Sequence, residues 1–208
     1  MMYDSGVTAQ NFLLLLDNEI DVPSEFSTVS FSALAESLNK IEQILYRNII
    51  KEIIKVTVSA TENKVTHTQI QNELSDDYAM FLFDDIVLVK ADNIQLTKCA
   101  LDKFNVLRNV YCTNGDVLEF KKAYSTDVIN DVDIYLKVCP ALKEVSNEIV
   151  TGNVMVPYEF LSMVAAFIRG EQYKLINEDN IAAKWIADFN AQLESFKSFI
   201  VQNSAKIG

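Results

Sequence analysis

His67 is the one histidine in a chain of 208 residues, and it lies in the polar stretch KVTHTQIQ with no cysteine near it in sequence. A catalytic base or metal ligand would need a nucleophile or further ligands brought to it by folding, so alone it reads as a surface residue. Carboxylates are more plentiful. Asp76-Asp77, Asp84-Asp85 and Asp131/Asp133 are pairs of the kind that a metal site or a glycoside-cleaving site uses. Adjacent aspartates point in different directions, however, and the Asp131/Asp133 spacing is what the solvent face of a strand produces. Cys99, Cys112 and Cys139 are odd in number and form none of the close pairs of zinc or redox sites. They read as buried thiols in a reducing compartment. Gly152 and Gly170, the closest glycines, are eighteen residues apart, which excludes a glycine-rich phosphate loop. Trp185, Phe189 and Phe196 could line a ligand pocket, but their helical spacing is also that of any core-facing helix. The expectation is a chain that is not an enzyme, with no catalytic residue, cofactor or metal.

Charge bears on partners. Eighteen basic residues against 29 acidic ones give a net charge of −11, and residues 1 to 39 hold six acids and no Lys or Arg. Such a surface repels nucleic-acid phosphate, so a conventional nucleic-acid binder is disfavoured, whereas a surface that DNA slides past without sticking is not. The apolar run Phe12 to Leu16 is far shorter than the roughly 20 residues that span a bilayer and has no basic region before it. The expectation is therefore no secretory signal and no membrane anchor. Half of the residues are hydrophobic, enough for one substantial core or two small ones.

The elements that must position these residues follow from periodicity. Residues 1 to 25 read as a loop or arm with room for one helical turn. From Ser32, Leu34, Leu38, Ile41, Leu45 and Ile49 recur at helical spacing, with Glu36, Lys40, Glu42 and Arg47 on other faces. This predicts an amphipathic helix over residues 32–55, although IIKEIIKVTVSA is ambiguous between helix and strand because β-branched residues crowd there. VTHTQI reads as an edge strand and Ile86 to Lys90 as a strand. Asn114-Gly115, between two alternating segments, predicts a tight hairpin. In DVDIYLKVCP, Val132, Ile134, Leu136 and Val138 alternate with polar residues until Pro140 interrupts the ladder. Pro157 suits the first turn of a helix in which Gly170 is a weak point. Asp179 opens a last helix that sets Ala182, Trp185, Ile186, Phe189, Leu193, Phe196 and Ile200 on one broad face.

The predicted fold class is α+β: a helical bundle of about three main helices with an inserted antiparallel β-hairpin and an additional strand. One domain is expected over residues 1–208, with an arm (1–25), a helix (32–55), strands and hairpin (80–139), a helical pair (157–200) and a C-terminal tail (201–208). The apolar stripe widens near the end of the chain, which marks Phe196, Phe199, Ile200, Val201 and Ile207 as candidate partner contacts.

Four stretches together, DVDIYLKVCP, ALKEVSNEIVTGNVMVP, VPYEFLSMVAAFIRGEQYKL and NEDNIAAKWIADFNAQLESF, resemble the head-to-tail connector (adaptor) proteins of tailed bacteriophages. The likeness covers about the last 80 residues and, loosely, the helix from Ser32. The first 25 residues depart from that family's pattern, in which the first helix begins close to the N-terminus. The resemblance implies a virion structural protein made in the host cytoplasm and placed at the head–tail junction. It implies a homo-oligomeric ring, usually of twelve subunits, that binds the portal protein above and tail or further connector proteins below. DNA would pass through the channel without specific binding. The alternative from composition alone is an acidic soluble interaction or regulatory module that binds a host or phage protein. Last comes an enzyme with an acid-based site at Asp131 or Asp133.

Overall fold

A computed structural model describes residues 2–19, 30–122, 129–146 and 149–204. In chain order its main elements are helices α1 (Ala9–Glu19) and α2 (Phe31–Leu45), a π-helical turn (Tyr46–Ile50), strands β1 (Ile53–Ser59) and β2 (Lys64–Thr66), and helix α3 (His67–Asn72). Then come β3 (Ile86–Ala91), β4 (Ile94–Lys98), β5 (Val110–Asn114), β6 (Val117–Lys121), β7 (Asp131–Lys137), β8 (Val145–Ser146) and β9 (Ile149–Val150), followed by α4 (Leu161–Leu175) and α5 (Asp179–Ser204). The chain forms two compact units, one from residues 1–50 and 142–208 and the other from residues 51–141.

The architecture corrects the expected bundle of about three main helices with an inserted hairpin and an additional strand. Among the described residues there are five α-helices and a seven-stranded mixed sheet in the order β1-β7-β3-β4-β5-β6-β2. Helical propensity does not continue through IIKEIIKVTVSA: Lys51 takes a left-handed backbone (φ 51°) that ends the helix, and β-branched residues then form β1. β1 pairs with β7 over seven residues, from Ile53 opposite Lys137 to Ser59 opposite Asp131. The two outermost strands, β1 and β2, are consecutive in sequence and joined by a two-residue turn. Glu62 and Asn63 both have positive φ there, and Thr61 and Lys64 exchange both backbone hydrogen bonds at 3.0 and 2.9 Å. This turn draws the edges together and nearly closes the sheet into a barrel, which removes most of the edge that would otherwise recruit strands. Asp92-Asn93 makes the β3–β4 turn with the same pair of positive φ values, because that geometry matches the right-handed twist of the flanking strands.

The β5–β6 hairpin is present with its turn one residue later than the sequence suggested. Asn114 pairs with Val117, and Gly115-Asp116 is the connection, with only Gly115 at positive φ. VTHTQI is strand only over its first two residues: the Thr66 hydroxyl accepts from the Gln69 amide while the Gln69 side chain accepts from the Thr66 amide, and this capping box starts α3 at His67. The barrel's interior is filled by alternate residues, among them Val56, Val58, Val89, Leu118, Val132, Ile134 and Leu136, together with Ile70 of α3.

The helical unit has its own core. Residues read as a loop or arm hold the eleven-residue α1, which buries Ala9, Phe12, Leu13 and Leu16; the part of the arm at residues 20–29 lies outside the described residues. Ser30 caps α2 through its hydroxyl, which accepts from the Ala33 amide at 3.2 Å. Leu34, Leu38, Ile41 and Leu45 of α2 enter the same cluster as Val164, Ile168, Phe189 and Phe196. Pro157 does not stand inside the first turn of α4; a short 3-10 turn at Tyr158–Phe160 intervenes. Gly170 is buried where α4 meets α5, and a Cβ there would lie 2.6 Å from Ile186 Cδ1 and 2.9 Å from Ile186 Cγ1. The glycine that looks like a weak point is the place of closest approach between the two helices.

Candidate functional site

Each carboxylate pair singled out in the sequence has local structural partners in the barrel. On the outer face of β1 and β7, the Thr57 hydroxyl donates to Asp133 at 2.7 Å, Lys55 Nζ stands 3.2 Å from the same carboxylate, and the Ser59 hydroxyl donates to Asp131 at 3.0 Å. The Thr57 bond holds Asp133 below the ordinary carboxylate range; burial opposes it, and Lys55 adds to the lowering. Asp85 accepts from the Leu82 amide at 2.8 Å, Asp84 pairs with Lys98 at 3.0 Å, and Asp77 accepts from the Ser75 hydroxyl at 3.0 Å. Among the described residues no group of three or more His, Cys, Asp or Glu is placed to hold a metal ion.

His67 is half-buried, not a freely exposed surface residue. Its ring stacks on Phe81 with centroids 4.2 Å apart and planes 9° from parallel, meets Phe83 edge-on, and its Nε2 lies 2.9 Å from the Phe81 carbonyl oxygen. That contact fixes the segment after α3 on the barrel. Cys112 and Cys139 are buried and Cys99 is intermediate; burial pushes the Cys99 and Cys112 thiols up, away from the reactive thiolate.

The aromatic residues of α5 divide by face. Phe189 meets Phe167 at 5.2 Å, and the half-buried Trp185 carries the Arg169 guanidinium 4.6 Å from its ring. Of the candidate partner contacts, Phe196 and Ile200 are buried in the unit's own core. Phe199 joins an aromatic cluster, 5.2 Å from Phe160 and 6.1 Å from Tyr3. Val201 is 69% exposed, and Ile207 lies outside the described residues.

A buried polar cluster on α2 escapes the sequence reading. Glu42 is not on a solvent face: it is 1% exposed, accepts from the Met155 amide at 2.7 Å and pairs with the ammonium of Lys143, whose side chain is also buried. One turn earlier, the Asn39 side chain accepts from the Lys143 amide at 2.7 Å and donates to the Lys143 carbonyl at 2.9 Å. Burial pushes the Glu42 carboxyl up, and Lys143 and the Met155 amide offset part of that. The signal in the sequence is spacing, since Glu42 stands four residues after Leu38 and therefore inside the apolar stripe. Nearer the start of α2, Gln172 of α4 is fully buried and donates to the Ser37 hydroxyl at 2.9 Å and the Ala33 carbonyl at 3.2 Å.

Above that contact, Ala33, Glu36, Ser37 and Lys40 of α2 face Glu171, Lys174 and Leu175 of α4 across an open cleft of about 340 Å³. Glu171 pairs with Lys40 and with Lys174. Burial would raise its carboxyl, but the hydrogen bonds from the two lysines outweigh that and hold it low. The cleft can take a small polar group between paired charges. These arrangements fasten segments to one another, and the class they define is an α+β protein in which a helical unit carries an inserted barrel-like sheet. No family model matches the chain, and no curated protein matches it in sequence.

Proposed function

We propose that this chain is a structural subunit of a bacteriophage head-to-tail connector, a homo-oligomeric ring that joins the portal to the tail and surrounds the path of the DNA. The observation that carries this reading is the likeness of the last 80 residues to that family, whose four stretches here form β7, the link holding β8 and β9, α4 and α5. Two further features support it. Asp131, Asp133, Asp84 and Asp85 are engaged in cross-strand bonds, capping and ion pairs, and a net charge of −11 keeps DNA from adhering to a channel wall. The exposed Val201 at the end of α5, with the residues after it, is the segment offered to the portal. Twelve subunits is the copy number that the family likeness suggests.

Electron microscopy of the purified chain mixed with its portal tests this. Added ring density on the portal is expected, and Val201→Asp should weaken the attachment; a chain that never decorates the portal overturns the reading. The acidic balance also favours a second reading, a soluble interaction module for a basic host or phage protein. Capture of one such partner, in place of the portal, would decide for it.

A further inference from the structure

The connection between β4 and β5, residues 99–109, is bonded into a fixed shape yet presents apolar side chains to water. The Lys103 amide donates to the Ala100 carbonyl at 3.0 Å, the Val106 and Leu107 amides both donate to the Lys103 carbonyl at 3.1 Å, and Lys121 Nζ reaches the Asn105 carbonyl at 2.6 Å. On this scaffold Leu101 is 50%, Leu107 42% and Val106 81% exposed. A preformed loop holding three hydrophobic side chains in water binds at low ordering cost. Its charge is also unlike that of the rest of the chain. Lys103 and Arg108 outnumber Asp102 within it, and neither base has an ion-pair partner among the described residues.

The complementary surface lies on α1. Phe12, Leu13 and Leu16 of its apolar run are buried, which leaves Leu14 and Leu15 on the outer side, 43% and 63% exposed, with Asp17 beside them. No Lys or Arg occurs in the first 39 residues. One surface is apolar and basic, the other apolar and acidic. We infer that the 99–109 loop of one copy docks on α1 of a second copy, Val106 and Leu107 against Leu14 and Leu15, with Lys103 and Arg108 toward Asp17. Such a contact is heterologous, since different patches meet, and it propagates until the subunits close a ring. The inference rests on the ring reading and supplies its subunit interface.

The test uses the full-length chain in a Cys99→Ser background. Val106→Cys and Leu15→Cys variants are prepared separately, mixed and oxidised. A disulfide-linked dimer is expected in the mixture and not with either variant alone. A Val106→Cys chain that links to itself, or a mixture that does not link, overturns the proposal. By sedimentation velocity, Leu15→Asp and Val106→Asp/Leu107→Asp should each weaken self-association roughly thirty-fold or more, the effect of losing one central anchor. Unchanged thermal unfolding of the isolated variants separates this from misfolding. A wild-type chain that is monomeric at every soluble concentration also overturns the interface. The two readings fail differently: variants that still decorate the portal as the wild type does remove this interface alone, whereas a wild type that self-associates through these residues but ignores the portal removes the connector reading and leaves the interface.

Discussion

Lys143 and Glu42 are the residues whose loss should matter most, because each neutralises the other inside the helical unit. Lys143→Met leaves a carboxylate buried without its cation and should cost about 3–5 kcal/mol in urea unfolding. Glu42→Gln added to it should recover most of that loss, since the amide oxygen still accepts from the Met155 amide. The pH dependence has a defined sign. Glu42 holds its proton more tightly folded than unfolded, so its contribution is full below the unfolded carboxyl value and is lost as pH rises through the raised folded value. Asp133 works the other way: its contribution is present above the unfolded value and is lost as pH falls through its lowered one. In Lys143→Met the Glu42 value climbs further, and the decline of stability with rising pH should extend to higher pH. Urea midpoints measured across the acid and neutral range check this, and a decline that ends where the wild type's does would refute it.

Among the elements, the crossing of α4 and α5 depends on Gly170. Gly170→Val should lower stability by about 1–3 kcal/mol, the usual cost of overpacking, and Ile186→Ala in the same chain should return part of it by clearing the two atoms that the new side chain meets. Thermal unfolding of the two variants reads this directly, and equal losses with and without the Ile186 change would show that the contact is not the cause. Elements with a strong period were legible in the sequence: the stripe of α2, the alternation of β7 and the broad face of α5 all come from burial on one side. What escaped lacked such a period. β4 buries only Leu96, so IQLTK has no alternation to read. β1 follows closely on a helix, and the β-branched residues crowded in IIKEIIKVTVSA favour a strand without marking Lys51 as the place where the helix breaks. The turn Glu62-Asn63 uses non-glycine residues at positive φ, a weaker signal than Asn-Gly. The same limit applied at the site, where Glu42 and Gln172 are polar by composition and buried by position.

At the scale of the whole molecule, residues 51–141 form a unit with its own core, inserted between the two parts of the helical unit. Its ends emerge side by side, since β1 pairs with β7 and the Val138 amide donates to the Glu52 carbonyl at 3.0 Å. Residues 51–141 expressed alone should therefore unfold in one cooperative transition, and so should the helical unit with a short Gly/Ser link between Ile50 and Leu142; circular dichroism melts check both, and a structureless excised barrel would show that the insertion needs its host. The same insertion sets a timetable for synthesis. Glu42 leaves the ribosome 101 residues ahead of Lys143, so the part of the α2 stripe that α4 and α5 cover must wait while the entire barrel is translated. The barrel can mature during that interval, and the helical unit cannot. The nascent chain is thus most exposed to proteases and to wrong associations with its siblings in the stretch of translation before α4 arrives.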